Sequence, residues 1–174
     1  MKMNIRIAGT EFSLQNKSYE IYIQGCYRNC KGCHNPDTHS FTGGKEVDII
    51  QFLENLYKKI YPFIKDGLIE NIYISGGDLL CQDEEVAKQF SFETMFLFSP
   101  LVRIWLFTGC SGSELPEWVW NYYDIVKAGT YQEDIRNPDG TFPASSNQVL
   151  LVNKKLSEEE FNNIEYMGVK IWSL

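Results

Sequence analysis

Residues 19–36 read Tyr-Glu-Ile-Tyr-Ile-Gln-Gly-Cys-Tyr-Arg-Asn-Cys-Lys-Gly-Cys-His-Asn-Pro. Ile21-Tyr22-Ile23 is β-branched and aromatic, the composition that suits a pleated surface, and predicts a short strand. It stops at Gly25. From Gly25 to Gly44 the chain is rich in Gly, Asn, Cys, Asp and Thr, which marks a long loop. Loops beyond about 12–15 residues in a compact domain are usually functional or disordered. Three cysteines inside this one favour function.

Outward from the loop, strands and helices alternate. Val47 to Ile64 predicts a helix, because Ile49, Leu53, Leu56, Ile60 and Phe63 recur at spacings of three and four. Pro62 should kink or end it, with Gly67 as its stop. Ile72-Tyr73-Ile74-Ser75 reads as a buried strand cut off by Gly76-Gly77. Gln82 to Pro100 is ambiguous, since its aromatic residues give no clean stripe. Val102 to Phe107 predicts a strand ending at Thr108-Gly109. Pro116 to Tyr123 suits a short helix, Ile125-Val126 a short strand and Val149 to Val152 another. Residues 130–146 read as loop. Ser157 and Glu160 form a capping box, so a last helix is expected near Ser157, with Val169-Lys170-Ile171 as a terminal strand. This order predicts an α/β fold with right-handed crossovers and a mostly parallel sheet. Ligands bind such sheets beyond the carboxyl ends of the strands. The cysteine loop, Gly76-Gly77-Asp78 and Thr108-Gly109 all fall at such ends, so one shared site is expected.

The chain has 174 residues, 44% hydrophobic and 22% charged, which fits one globular domain over 1–174 and excludes disorder. Sixteen Lys and Arg against 23 Asp and Glu leave a net charge of −7. That balance argues against nucleic-acid binding, which needs a basic face, and against a polybasic membrane contact. No apolar run is long enough to span a bilayer, and the first residues lack a signal-peptide core, so a cytoplasmic location is expected. Five cysteines, three of them within eight positions, point in a reducing compartment to metal or catalysis before disulfides.

Cys26, Cys30 and Cys33 have the spacing C-x3-C-x2-C. Thiolates select zinc, copper(I) or iron–sulfur clusters. Three thiolates leave one cluster iron without a protein ligand, where a substrate can coordinate. The bland alternative is a structural zinc site with His34 or His39 as fourth ligand, although paired C-x2-C knuckles are missing. Unligated thiols are a third reading. Cys81 and Cys110 lie just past strand ends, near the expected site. Extra ligands or redox-active thiols are one reading, and packed or incidental free cysteines, which behave as small hydrophobes, are the preferred one. Gly76-Gly77, taken alone, is a plain strand-to-loop turn. Phe90, Phe92, Phe96 and Phe98 read as core before docking surface.

The C-x3-C-x2-C motif on a loop after the first strand resembles that of the radical S-adenosylmethionine (SAM) enzymes. Gly25-Cys26 through Cys33-His34-Asn35-Pro36 is similar to the activating proteins of anaerobic (class III) ribonucleotide reductases. So are Ser75-Gly76-Gly77-Asp78, Trp105-Leu106-Phe107-Thr108-Gly109 and Ser145-Ser146-Asn147-Gln148. The resemblance spans about residues 5–152. It implies an incomplete parallel β/α barrel, because a full eight-unit barrel needs about 250 residues. It also implies a [4Fe-4S] cluster held by Cys26, Cys30 and Cys33, with S-adenosyl-L-methionine on the fourth iron. Reductive cleavage would give a 5′-deoxyadenosyl radical that takes a hydrogen from a glycine of the partner, an anaerobic ribonucleotide reductase. A one-electron donor such as reduced flavodoxin is implied too. Gly76 and Gly77 would let backbone approach the methionine end of the ligand, and Gly32, Cys33 and His34 would lie along its adenosine. Asp78 and Thr108 would bond the ligand or fix the loops. The chain departs from the pattern at Lys31 and Leu79, where the family commonly has Pro. Another departure is Lys127-Ala128-Gly129, where many members read Asp-Gly at the last two positions. Related activases, such as those of pyruvate formate-lyase, share the cysteine motif.

Overall fold

The computed structural model describes residues 2–138 and 142–156, together with the backbone of 165–166 and 169–170. The chain runs β1 (Asn4–Ser13), β2 (Ser18–Ile23), β3 (Lys45–Asp48), α1 (Ile49–Lys65), β4 (Asn71–Gly76), α2 (Glu84–Phe98), β5 (Arg103–Phe107), β6 (Ile125–Ala128) and β7 (Val149–Val152). These strands form one open seven-stranded sheet in the order β3-β1-β2-β4-β5-β6-β7. Its centre is parallel, through the β2–β4, β4–β5 and β5–β6 pairings. Both sides are antiparallel: β1 pairs with β2 and β3, and β7 pairs with β6. The expected mostly parallel sheet therefore holds only at the centre. β2 is also not the first strand, because β1 precedes it as the other arm of a hairpin. A separate two-stranded piece pairs β8 (Glu165–Tyr166) with β9 (Val169–Lys170). The helix expected near Ser157 falls outside the described residues.

Side chains alternate across the strands and divide the molecule into two layers. One sheet face carries Ile21, Ile23, Ile72, Ile74, Ile104, Leu106 and Val126, and packs on the helices. The opposite face carries Tyr73, Trp105 and Ile125, backed by Phe107, Phe142, Leu150 and Leu156. β4 is buried on both faces, the environment of a central parallel strand.

Two helix readings are refined. α1 starts at Ile49, not Val47, because Asp48 caps it by accepting from the Gln51 N–H at 2.9 Å. It runs through Pro62 to Lys65, and its buried stripe ends on Ile64, while Phe63 is 42% exposed. Gly67, at φ +70°, stops the helix by donating to the Ile64 carbonyl. The ambiguous stretch is α2, capped by Asp83. Its buried face includes Ser91 and Thr94, whose hydroxyls donate to the Ala87 and Phe90 carbonyls at 2.7 Å. The stripe thus has polar members that satisfy themselves on the helix backbone, which hid it from a hydrophobicity pattern. Among the described residues no helix is long and apolar enough to cross a membrane.

Candidate metal centre

The carboxyl ends of β2, β4, β5 and β6 lie side by side, and each leads into a loop that borders one cavity of about 370 Å³. That size is within the range of small-molecule sites. The cysteine loop leaves β2 and returns to it. Gly25 N–H donates to the Thr38 carbonyl at 2.8 Å and Cys26 N–H to the His39 carbonyl at 3.0 Å. Gln24 spans the base, its Nε2 donating to the Asp37 and Ser40 carbonyls at 3.1 and 2.6 Å. A 20-residue excursion is held in shape in this way with only a single 3-10 turn, Pro36–Thr38, of its own.

Cys26, Cys30 and Cys33 all line the cavity, as do His34, Gly76, Gly77, Asp78 and Thr108. Gly32 does not. It sits at φ +71° behind the wall, where a Cβ would come within 2.9 Å of the Glu133 carboxylate. His34 packs on Tyr131, with ring centroids 5.0 Å apart, which ties the cysteine loop to the loop after β6. That second loop is itself clamped. Gln148 Nε2 donates to the Gly129 carbonyl, Asn147 Nδ2 to the Thr130 carbonyl, and the Gln132 N–H to Ser145 Oγ. Three residues of the Ser145-Ser146-Asn147-Gln148 segment therefore work as a brace for the cavity wall.

Asp78 is the hub of the site. It is 1% exposed, and Oδ2 accepts from Arg28 Nε at 2.7 Å and from the Gly109 N–H at 2.9 Å. Thr108 Oγ1 donates to the same carboxylate at 2.9 Å, and the Leu80 N–H to Oδ1 at 3.0 Å. A carboxylate offers about four lone-pair directions, so these four donors use its capacity. The hydrogen bonds of Asp78 and Thr108 tie together the loops that follow β4 and β5, and both residues also line the cavity. Arg28, which the sequence reading did not single out, brings the cysteine loop to the ends of β4 and β5.

The glycine pair has a packing duty as well. A Cβ on Gly77 would lie 2.5 Å from the Gly25 carbonyl oxygen, and one on Gly76 would lie 2.8 Å from the Ile23 backbone. The two backbones meet because both side chains are missing. Gly77→Ala is expected to destabilise the fold by about 1–3 kcal/mol through this overlap, read as a lower urea midpoint. An unchanged midpoint would mean that the two segments separate freely.

One face of the sheet presents a row of side chains to the cavity. Tyr22 pairs with Ser75, and Phe107 with Lys127. All four line the cavity. The Ser75 hydroxyl is buried with no hydrogen-bond partner. The Lys127 ammonium lies 5.7 Å from the centroid of the Phe107 ring. Desolvation pulls it below the ordinary lysine value, against the opposing pull of Asp78, Cys30 and Cys33. Ser75 and Lys127 were not assigned roles from sequence, since only strand register brings them to one wall.

The thiols differ in setting. Cys26 shares a hydrogen bond with Cys81, which, ahead of burial, pushes its thiol up and holds Cys81 down at about 7. Cys81 is thus a neighbour of Cys26 and not an isolated core residue. The Asn35 N–H donates to Cys33 Sγ at 3.4 Å, which ties the third cysteine to the turn that follows it. Among the described residues no three His, Cys, Asp or Glu side chains converge on one ion position. A cluster does not require it, because its three thiolates meet three different irons and stand around a body. Three thiols lining one cavity, the unpartnered Ser75 hydroxyl and the Lys127 side chain fit such a group.

Comparison with known proteins bears on the same residues. Over 135 residues the chain is 27% identical to the anaerobic ribonucleoside-triphosphate reductase-activating protein of Vibrio cholerae, covering 75% of this chain and 84% of the relative. Its counterpart in Haemophilus influenzae is 26% identical over 142 residues, with the same coverage. The pyruvate formate-lyase-activating enzyme of Clostridium pasteurianum is 38% identical over 64 residues, covering 37% of this chain and 26% of the relative. The model of the 4Fe-4S single cluster domain family matches residues 17–151, from the start of β2 into β7. That stretch contains every cysteine of the chain and most of its length, and the chain belongs to the 4Fe-4S single cluster domain family.

Proposed function

We propose that this chain is an iron–sulfur activase of the radical SAM type, which generates a glycyl radical on an anaerobic ribonucleoside-triphosphate reductase. The observation that carries the reading is the meeting of the C-x3-C-x2-C thiols with the Ser75-Gly76-Gly77 strand end in one cavity. Cys26, Cys30 and Cys33 hold the cluster in this reading, and Gly76, Gly77 and His34 border S-adenosylmethionine. When bound, the cluster supplies one electron to the sulfonium, which cleaves to methionine and a 5′-deoxyadenosyl radical. The protein's part is to fix the thiolates, hold the ligand against them and keep water from the radical. The Arg28–Asp78 pair and the Ser145–Gln148 brace serve that rigidity.

The whole of 1–174 is read as a single domain and the open sheet as an incomplete β/α barrel of the radical SAM type. Its missing side gives the glycine-bearing segment of the partner a way in. Reduced flavodoxin or a similar one-electron donor and a cytoplasmic location complete the proposal. The reductase is favoured over pyruvate formate-lyase as partner because the activase relatives named for it match three-quarters of the chain, against 37% for the Clostridium enzyme.

Anaerobic incubation of the iron- and sulfide-loaded protein with dithionite, S-adenosylmethionine and the candidate reductase tests the proposal. A glycine-centred radical is expected by electron paramagnetic resonance (EPR). A signal on pyruvate formate-lyase alone would reassign the partner, and tight zinc with no cluster would replace the activase by a zinc-stabilised module.

A further inference from the structure

Lys127 stands out in the cavity wall. Among the described residues the cavity is bordered by one arginine and one lysine, Arg28 and Lys127. Arg28 is matched by Asp78 at 2.7 Å. Lys127 forms no ion pair with any described residue, and it lines the cavity together with the thiols of Cys30 and Cys33, the Glu20 carboxyl and the already paired Asp78. The groups whose charge acts on it are Asp78, Cys30 and Cys33. Its stem leaves the end of β6 in register with Phe107, and the ammonium leans over that ring. A cation desolvated without a partner is costly unless an anion compensates it. Three thiolates gathered around a cluster supply that anion, and the charge becomes more negative by one unit when the centre takes up an electron.

We infer that Lys127 is the counter-charge of the cysteine-held centre and sets how readily that centre accepts its electron. This rests on the reading above, that the three cysteines hold a cluster. The centre gains one electron from a low-potential one-electron reductant, no bond forms or breaks, and the fixed ammonium stabilises the added charge. Lys127 acts as a positioning residue for charge and needs no contact with the substrate. A unit charge roughly 10 Å away at an effective dielectric constant of about 20 shifts an equilibrium roughly tenfold.

The test is an EPR-monitored redox titration of anaerobically reconstituted protein, comparing wild type with Lys127→Gln, Lys127→Arg and Lys31→Gln. Lys31 also carries positive charge next to Cys30, but its side chain is 81% exposed, so solvent screens it. The expected result is about a tenfold smaller reduced fraction for Lys127→Gln at fixed potential, a shift of about 59 mV to more negative values for one electron. Lys127→Arg and Lys31→Gln should titrate close to wild type. Lys127→Met, which keeps the apolar stem, replaces the Gln variant if that one does not fold, with the same shift expected. Lys127→Gln titrating with the wild type would overturn the inference, as would an equal shift for Lys31→Gln. Failure of wild type to take up about four irons would instead defeat the activase reading itself.

Discussion

Cys30→Ala is expected to abolish cluster assembly and, with it, S-adenosylmethionine cleavage. The argument is one of ligand count. Cys30 is the middle cysteine of the C-x3-C-x2-C run, and the Cys33 N–H donates to its carbonyl at 3.1 Å, so the two thiols hang from one tight turn. Removing one of three thiolates leaves two irons without protein ligands, and a soft metal centre has no comparable donor to turn to. His34 packs on Tyr131, and Cys110 does not line the cavity. Cys81 is the one further thiol beside the set, through its bond to Cys26. The expected pattern is total loss of iron and of the broad absorbance near 400 nm in Cys30→Ala, and near-normal iron in Cys81→Ala. Full cluster content in Cys30→Ala would refute the ligand assignment. Loss in Cys81→Ala would make Cys81 part of the centre.

The parts of this site that were legible in sequence are local. The cysteine spacing, the glycine stops after β2 and β4, and the Thr108-Gly109 end of β5 are written in consecutive residues. β1 was not legible, because beyond Ile7 its side chains are mostly exposed and carry no alternation; it is a strand through its pairing with β2. β3 hid for a related reason, being a four-residue edge strand with three charged members. The joints of the site lie further from sequence reasoning. Arg28 and Asp78 are 50 positions apart, and neither residue type announces the other. Lys127 merely precedes the departure at Ala128-Gly129 in the sequence, and only strand register sets it beside Phe107. Gly76 and Gly77 were legible as glycines that something must approach closely, but the neighbour the fold supplies is the protein's own backbone at Ile23 and Gly25.

The second large effect concerns stability. Asp78→Ala is expected to destabilise the protein by about 3–5 kcal/mol, the range for removing one member of a buried ion pair. The Asp78 side chain is 1% exposed and that of Arg28 18%, so water can do little to replace the lost partner. The substitution also strands the Thr108 hydroxyl and the Gly109 and Leu80 N–H groups, three donors built around the same carboxylate. With a urea slope of about 2 kcal/mol per molar, the unfolding midpoint should fall by roughly 2 M. Asp78→Asn keeps the shape but turns an N–H toward donors, so most of the loss should remain. Thr108→Val, which removes one donor and leaves the charge pair intact, should cost only about 1 kcal/mol. The ordering separates the two roles open to Asp78. If its work is to fasten the cysteine loop to β4 and β5, stability falls in this sequence even in protein free of iron and ligand. If Asp78→Ala unfolds with the wild type and loses only S-adenosylmethionine affinity, the carboxylate is a ligand contact and the loop is fastened by other means.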